Sequence, residues 1–375
     1  MRIALFSSTV DAIDGYGTIT YELSRHLHER GIGITLFLPR SQREIVERLH
    51  LPFSVRCELP PYIYRVTQPA VLQHLRRVDV SACDLVHDLF AFPHCLVSSR
   101  SARKYGTPYL MGAQGTHGVR PLTFFPEKQL LKRCYRQARR IVVPSAFTRQ
   151  KILEYAGETY PIDIIHNGVN FGRFSKAPVS LPTLQEQYRG KKILLTVGGL
   201  WARKGHDLVL RALPSLVQSH LNLLYLIIGE GNARAGLEAL ARELGVRDHV
   251  AFLGYKTGDE LVAHFHVCDV YVHTPRVTGL KFEGFGIVYL EASASGKPIV
   301  ATDAGGVHDA VVDGSTGFVV RDGDVPAIAS SIERLLTDGA LRASMGERGR
   351  RYAEEHDWAS IAAHFEELYD AILHG

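Results

Sequence analysis

Residues 2–39 read RIALFSSTVDAIDGYGTITYELSRHLHERGIGITLFLP, and this stretch decides the fold. RIALFSS is a short apolar run typical of a buried strand, and GITLFLP is a second one. Between them Ile19, Leu23 and Leu27 recur at helical spacing, and Gly31 stands where a helix would end. The stretch therefore predicts a strand, a helix and a second strand that runs parallel to the first.

The rest of the chain repeats this alternation in two series. Further strand candidates of the first series lie at 84–90, 107–113, 139–145 and 163–167; those of the second lie at 191–199, 223–231, 249–254, 269–275, 297–303 and 317–320. The stretch 167–190 lacks clear periodicity and contains Gly and Pro, so we expect a linker at 171–190. The pattern predicts an α/β protein of two Rossmann-like, doubly wound parallel sheets facing a cleft, with domains at 1–170 and 191–357.

Composition narrows the class of protein. The chain has 375 residues, of which 46% are apolar and 22% charged, as expected for folded globular domains. Its longest apolar runs are shorter than the ~20 residues that a membrane-spanning helix needs, and the first residues do not resemble a secretory signal, so we expect a cytoplasmic protein. Five scattered cysteines without a CxxC pair argue against a thiolate metal site, and the one Asp-x-Asp, at 322–324, looks like a surface turn. We expect no bound metal.

Charge is uneven, because residues 1–170 are basic and residues 171–375 are acidic. The densest basic stretch is EKQLLKRCYRQARR, 127–140, in which the apolar residues recur at helical spacing. A solvated helix face is the simpler interpretation, and contact with an anionic membrane, peripheral and at its inner face, is the alternative. Its basic residues are not interleaved with stacking aromatics, which argues against nucleic acid.

The strongest candidate for a functional site is FEGFGIVYLEASASGKP, 282–298. Gly284 and Gly286 leave backbone N–H groups uncovered where a helix begins, and such a helix start attracts anions. Glu283 precedes this helix and Glu291 lies about one turn inside it, so their carboxylates could accept hydrogen bonds from sugar hydroxyls on either side of a phosphate ester. A well-capped helix with two uninvolved glutamates is the structural alternative.

A second candidate is VGGLWARKGHDLVLRAL, 197–213, where a buried strand passes through two glycines into Arg203 and Lys204 and then into a helix. Two cations at such a turn suit a diphosphate. The spacing departs from a Walker motif, since neither Ser nor Thr follows Lys204. A solvated loop is the alternative.

The first half offers weaker candidates. Gly15 and Gly17 follow the first strand, but the third glycine of the dinucleotide fingerprint is missing, which argues against NAD. A loop that lets a ligand approach closely and a plain tight turn both fit these glycines. His117 lies at the carboxyl end of a strand, among glycines, and is a candidate functional histidine; a merely solvated loop histidine is the alternative.

Taken together and in this order, these stretches resemble the family 4 retaining glycosyltransferases of GT-B fold. The likeness is strongest in TVGGLWARKGHDLVLRAL, LIIGEGNARAGLEALARELGVRDHVAFLGY and EGFGIVYLEASASGKPIVATDAGGVHDAVVDGSTGFVV, and it extends to IVVPSAFTRQKI and IIHNGVNFGRF. One departure is Gly199, where many members carry an additional Arg. The resemblance also implies that the last helix, 358–375, crosses back onto the first domain.

The resemblance implies roles for single residues. Arg203 and Lys204 would neutralise the donor diphosphate, Glu291 would bind the ribose, and Glu283 would hold the transferred sugar. The implied donor-binding residues are Gly15, Gly17, Arg203, Lys204, Gly254, Tyr255, Glu283, Gly284, Phe285, Gly286, Ile287 and Glu291; the implied catalytic residues are His117, Glu283, Arg203 and Lys204.

The implied activity is retaining transfer of a hexosyl group from a nucleotide diphosphate sugar to a hydroxyl of a glycan, lipid or small molecule. GDP-mannose is slightly favoured over a UDP-sugar. The donor is a substrate, so no cofactor is expected, and the acceptor would contact loops around 62–68, 90–94 and 120–125. A sugar-nucleotide 2-epimerase of the same fold and an inactive nucleotide-sugar-binding subunit are the alternatives.

Overall fold

The computed structural model describes residues 1–12, 14–62 and 73–375, and these form two compact units. The first unit contains Met1–Asn167 together with Trp358–Gly375, and the second contains Gly168–Asp357.

The described part of the first unit is built on a seven-stranded parallel sheet in the order β3-β2-β1-β4-β5-β6-β7. Its strands are β1 Arg2–Phe6, β2 Gly33–Pro39, β3 Ser54–Leu59, β4 Leu85–Asp88, β5 Tyr109–Gly112, β6 Arg140–Val143 and β7 Ile162–Ile164. In the stretch that opened the sequence, Ile3 of β1 pairs with Ile34 of β2 in parallel register. Both strands are nearly continuous apolar runs because helices cover both faces of such a sheet.

The helices of the first unit are α1 Gly15–Glu29, α2 Arg43–Leu49, α3 Cys95–Tyr105, α4 Thr116–Val119, α5 Glu127–Gln137 and α6 Ala146–Ala156, joined by the last helix of the chain, α15 Trp358–His374. Helix α1 begins where the Asp14 carboxylate accepts a hydrogen bond from the Gly17 N–H, at 2.8 Å. Its buried face includes Ile19, Leu23 and Leu27, the three positions that predicted it.

The second unit repeats the plan with a six-stranded parallel sheet in the order β10-β9-β8-β11-β12-β13. Its strands are β8 Lys192–Val197, β9 Leu223–Ile228, β10 Val250–Gly254, β11 Val270–His273, β12 Ile299–Thr302 and β13 Gly317–Val320. Its helices are α7 Phe171–Phe174, α8 Leu181–Gln187, α9 His206–Ser219, α10 Arg234–Glu243, α11 Gly258–Val267, α12 Ile287–Ala294, α13 Val325–Thr337 and α14 Gly339–Glu355.

The stretch 171–190 belongs to the second unit, although its sequence suggested a linker. It holds the short helices α7 and α8. Phe174, at the end of α7, is buried, and the centre of its ring is 5.6 Å from the centre of the Phe265 ring. The Phe174 carbonyl also accepts a hydrogen bond from the Ser295 hydroxyl, at 3.1 Å. Helices of one or two turns are too short to show a period, so their sequence does not distinguish them from loop.

The last helix, α15, packs within the first unit against α1. Arg30, just past α1, donates to the Glu366 carboxylate at 2.5 Å. In the interior, the Tyr369 hydroxyl lies 2.8 Å from Nδ1 of His87, the third residue of β4. Burial lowers the pKa of His87 to about 3, so the ring is neutral at neutral pH and its Nδ1 can accept the Tyr369 hydrogen bond. None of the helices in the described residues is both long and apolar enough to cross a membrane.

The contact between Tyr369 and His87 can be tested by removing one hydroxyl. We expect Tyr369→Phe to lower the free energy of unfolding by about 1–3 kcal/mol, because it leaves Nδ1 of His87 unpaired in the core. Tyr21→Phe, on the partly exposed side of α1, is the control and should change stability by about 0.5 kcal/mol or less. Denaturant titration of both variants measures the difference, and equal midpoints would contradict the assignment.

Candidate active site

The loop after β8 brings two cations to the carboxyl end of the second sheet. A 3₁₀ turn at Ala202–Lys204 leads to Gly205, which has a φ of 71° and precedes α9. A side chain at Gly205 would run into the carbonyl of Thr274, whose hydroxyl donates to the Gly205 carbonyl at 2.8 Å. The loop is therefore fixed against the chain that follows β11. In parallel sheets of this kind, ligands bind at this edge.

Glu283 is held in the same place by its backbone. Its N–H donates to the Ala304 carbonyl at 3.1 Å, and its carbonyl accepts from the Gly306 N–H at 2.8 Å. The side chain is 13% exposed, and its Oε2 lies 2.7 Å from Nζ of Lys204 and 3.6 Å from a guanidinium nitrogen of Arg203. Two motifs that are 79 residues apart thus meet at one carboxylate oxygen.

The charge of Glu283 is stabilised by this arrangement. Burial alone would raise its pKa, but the charge of Lys204, the proximity of His273 and the charge of Arg203 hold the pKa well below its usual range. The carboxylate is therefore ionised at neutral pH and can act only as a hydrogen-bond acceptor.

Helix α12 starts at Ile287, four residues after Glu283. Gly286 has a φ of 91°, and a side chain there would collide with the ring of Tyr289. Within the described residues no side chain caps this helix, so the N–H groups of Ile287 and Val288 are open to a ligand, whereas that of Tyr289 donates to the Gly286 carbonyl at 3.0 Å. Gly284 is half-buried, whereas the Phe285 side chain is buried in the core of the second unit.

Glu291 is placed one turn into α12, as expected from the sequence, and it is half-buried. Burial raises its pKa to about 7, and the charge of Arg173 opposes this rise. Arg173 lies on α7, inside the stretch that was expected to be a linker. The sequence gives no sign that Arg173 acts on the pKa of Glu291, because only the fold brings these two residues near each other.

At the end of β10 lie Gly254 and Tyr255, the two residues that the resemblance places beside the nucleobase of the donor. Gly254 has a φ of 70°, and a side chain there would come within 3.1 Å of a Glu230 carboxylate oxygen. Tyr255 is 48% exposed. Glu230, which the sequence motifs did not single out, is paired with Arg234 at 2.7 Å and lies beyond the end of β9, the strand next to β10.

His117 belongs to the first unit, at the start of α4. Its ring is packed edge-on to Tyr16, with ring centres 4.7 Å apart, and lies 5.5 Å from the ring of Tyr62. Burial lowers the pKa of His117, and a hydrogen bond with the Phe92 backbone opposes this effect. The imidazole is therefore neutral at neutral pH.

Gly15 and Gly17, the two candidate glycines of the first unit, differ in whether the surrounding chain leaves room for a side chain. A side chain at Gly17 would collide with the carbonyl of Asp11, so this glycine is needed for packing of the chain itself. Gly15 faces open space, where a side chain would meet no other atom within 4 Å.

A cavity in the first unit borders His117 and holds about 490 Å³ of empty space, part of it open to solvent. It is lined by Tyr62, Phe92, Thr116, His117, Arg120, Pro121, Phe124 and Glu127. The Arg120 guanidinium lies over the Phe124 ring, 5.6 Å from its centre, and Glu127 is 1% exposed. These residues include parts of the three loops expected at an acceptor, but 63–68 of the first loop lies outside the described residues.

Trp201 explains the departure at Gly199. A side chain at Gly199 would run into the indole of Trp201, which is 48% exposed. The ring therefore occupies the space above the strand glycine, and an arginine at 199 could not be accommodated without moving it. In the parts of the chain that are described, no cluster of three or more His, Cys, Asp or Glu side chains could hold a metal ion.

Two family models match the chain in succession. "Glycosyltransferase Family 4" matches residues 13–173, and "Glycosyl transferases group 1" matches residues 185–352. The chain is 33% identical over 272 residues to the GDP-mannose-dependent alpha-(1-6)-phosphatidylinositol monomannoside mannosyltransferase of Mycolicibacterium smegmatis, an alignment that covers 71% of each chain. It is 36% identical to a D-inositol 3-phosphate glycosyltransferase of Corynebacterium aurimucosum over 48% of this chain and 42% of that one.

Solved structures match the fold over nearly the whole length. Anabaena HepE in complex with UDP superimposes with a TM-score of 0.81 at 19% identity, covering 99% of this chain and 100% of that one. WaaG, a glycosyltransferase involved in lipopolysaccharide biosynthesis, superimposes with a TM-score of 0.70 at 19% identity and full coverage of both chains. At such identities the likeness establishes the fold. With two family models in succession and a relative of 33% identity over more than two thirds of both chains, this protein belongs to glycosyltransferase family 4 and has the GT-B fold.

Proposed function

We propose that this chain is a retaining glycosyltransferase that moves a mannosyl group from GDP-mannose to a hydroxyl of a lipid-linked or glycan acceptor. The observation that carries the proposal is the convergence of Lys204 and Arg203 on Glu283 beside the uncapped start of α12. The preference for GDP-mannose over a UDP-sugar is supported by the name of the relative that is 33% identical over 71% of the chain.

The cations would act on the leaving group. As the bond between sugar and nucleotide breaks, negative charge grows on the diphosphate, and fixed positive groups stabilise it without reorganising. Lys204 and Arg203 would supply this stabilisation, and the first N–H groups of α12 would add to it. Because these groups can carry the charge of the diphosphate, the proposal gives no role to a metal or a cofactor.

The two glutamates would hold different parts of the donor. The ionised Glu283 would accept hydrogen bonds from hydroxyls of the sugar, next to the N–H groups from Gly284 to Ile287. Glu291, one turn further along α12, would accept from the ribose, and Gly254 with Tyr255 would border the base.

The acceptor would bind in the cavity of the first unit. Aromatic rings such as Tyr62 and Phe124 offer flat apolar faces to a sugar or polyol ring, while Arg120 offers a guanidinium to an anionic group. The neutral His117 at its border would form a hydrogen bond with a reacting hydroxyl or with the donor sugar.

Peripheral contact with an anionic membrane is a further part of the proposal, and we assign it to basic residues that lie partly outside α5. On α5, Lys132 and Arg136 both pair with Glu158, and these contacts hold the pKa of Glu158 down to about 2. Burial and the charges of three other arginines lower the pKa of Arg100. We call this group the arginine cluster: Arg77, Arg100, Arg103 and Arg133. Like charges gathered in this way would attract anionic headgroups.

The central test is ligand binding followed by turnover. We expect GDP-mannose to raise the thermal midpoint more than UDP-sugars do, and Lys204→Ala to lower kcat/KM by roughly ten- to a few hundred-fold, because a charge-assisted hydrogen bond is worth about 1.5–3 kcal/mol. Lys191→Ala, an exposed lysine of the second unit, should leave turnover unchanged.

Product analysis without acceptor separates the alternatives in the same experiment. Slow release of GDP supports a transferase, while a donor whose sugar is epimerised would identify a 2-epimerase. A protein that binds the donor but neither transfers nor hydrolyses it would be a binding subunit. If none of the nucleotide sugars shifts the midpoint, the proposal fails.

Glu291 predicts a pH dependence of donor binding. Its pKa is raised from 4.5 to about 7, so its carboxyl group is largely protonated at pH 6 and ionised at pH 8. Ribose hydroxyls donate best to the ionised form, so the affinity for GDP-mannose should increase as the pH rises, by about tenfold at most. Calorimetry at pH 6, 7 and 8 measures the slope. In Glu291→Gln the slope should flatten, and an unchanged slope would contradict the role given to this carboxyl group.

The arginine cluster can be tested with vesicles. We expect the chain to co-sediment with vesicles that contain phosphatidylinositol and phosphatidylglycerol, and much less with phosphatidylcholine vesicles. The double variant Arg103→Gln, Arg133→Gln should bind anionic vesicles several-fold more weakly. Arg189→Gln, Arg211→Gln changes the net charge equally on exposed positions of the second unit and is the control. An equal loss in both double variants would show that net charge alone, and not this surface, is responsible.

A further inference from the structure

His273 is a wholly buried histidine whose ring nitrogens stabilise no neighbouring group in the described part of the chain through a hydrogen bond. It ends β11 and is 0% exposed, and neither ring nitrogen has a hydrogen-bond partner in the described part of the chain. Its backbone carbonyl is used, because the Tyr289 hydroxyl donates to it at 3.2 Å. Leaving buried polar atoms unpaired is costly, so a side chain of this kind in a core calls for an explanation.

The ring lies next to the carboxylate of the candidate site. Nε2 of His273 is 3.8 Å from Oε2 of Glu283, the oxygen that faces Lys204 at 2.7 Å and a nitrogen of Arg203 at 3.6 Å. A separation of 3.8 Å is too long for a hydrogen bond, yet a movement of less than about 1 Å would form one. Three potential donors therefore surround a single oxygen, and the lysine is the one that binds it at hydrogen-bonding distance.

We propose that His273 is a positioning residue for Glu283: once the donor diphosphate draws Lys204 and Arg203 away, an N–H of His273 holds Oε2 and leaves Oε1 to accept from a sugar hydroxyl. The inference rests on the proposed function, because it requires a diphosphate that competes for the two cations. It adds a residue that the motif resemblance does not assign to the site.

A neutral donor suits this task. Burial lowers the pKa of His273 to about 4, so at neutral pH the imidazole is uncharged and carries one N–H. It can therefore replace the lysine on Oε2 without binding the diphosphate itself, as a third cation would.

The ring is also held firmly enough to act as a fixed support. It packs with the rings of Tyr271 and Tyr289, whose centres are 6.4 Å and 5.5 Å from its own and 6.2 Å from each other. Its Cε1 is 3.6 Å from the place that a Cβ at Gly198 would occupy, so the glycine loop after β8 also lies against the ring. Side chains that are locked by packing fix the geometry of the groups they contact.

The test compares two ligands in His273→Leu and His273→Gln. Leucine fills similar space without an N–H. We therefore expect the affinity of the His273→Leu variant for GDP to stay within about twofold of wild type. Its affinity for GDP-mannose should fall by about tenfold or more relative to its affinity for GDP. The thermal midpoint of the unliganded variant should not fall, since two unpaired buried nitrogens are removed. Glutamine retains an N–H donor and should restore at least part of the difference.

A double-variant cycle separates positioning from a general effect on the fold. In a Glu283→Gln background, His273→Leu should cause no further loss of discrimination between GDP-mannose and GDP. The inference is overturned if the leucine variant loses both affinities equally, if it keeps both, or if its effect is the same with and without the Glu283 carboxylate. If the wild-type chain binds GDP but no nucleotide sugar, the proposed function fails first, and the inference fails with it.

Discussion

The ion pair between Lys204 and Glu283 is the constraint on which the site depends. A carboxylate that is only 13% exposed would be unstable without a partner, and its nearest partner comes from a loop 79 residues earlier. The two loops meet because β8 and β11 are neighbours in the second sheet and both run in the same direction, so their carboxyl ends share one edge. The order of strands therefore determines where charge can be buried.

Much of the fold could be read from the sequence, because alternating strands and helices leave clear apolar periods. Helix α1 is a clear case, since Ile19, Leu23 and Leu27 predicted its buried face. The stretch 171–190 shows the limit: its helices are shorter than the period that would reveal them, and Phe174 is buried by contacts with residues about ninety positions away.

The candidate site divides in the same way. Arg203, Lys204, Glu283 and Glu291 stand in stretches that resemble the motifs of a known family, so the sequence could single them out as candidates. His273, Arg173 and Trp201 have no such pattern, since their relevance depends on what lies beside them in space. His273 ends an ordinary apolar strand, and nothing in VYVHTP shows that a carboxylate ten residues later folds back to within 3.8 Å of its ring. The pairing of charged residues could not be predicted from the sequence either. Only the fold shows that Lys132 and Arg136 share Glu158, whereas Arg133 acts on Arg100.

The position of α15 bears on how the protein forms during synthesis. The first unit consists of Met1–Asn167 and Trp358–Gly375, so the whole second unit is translated between its two parts. Until α15 emerges from the ribosome, the face of α1 that it covers and Nδ1 of His87 remain without their final partners. The nascent first unit thus lacks this helix throughout the translation of the second unit, Gly168–Asp357. Vectorial synthesis therefore makes the last helix of the chain the closing step for the first sheet.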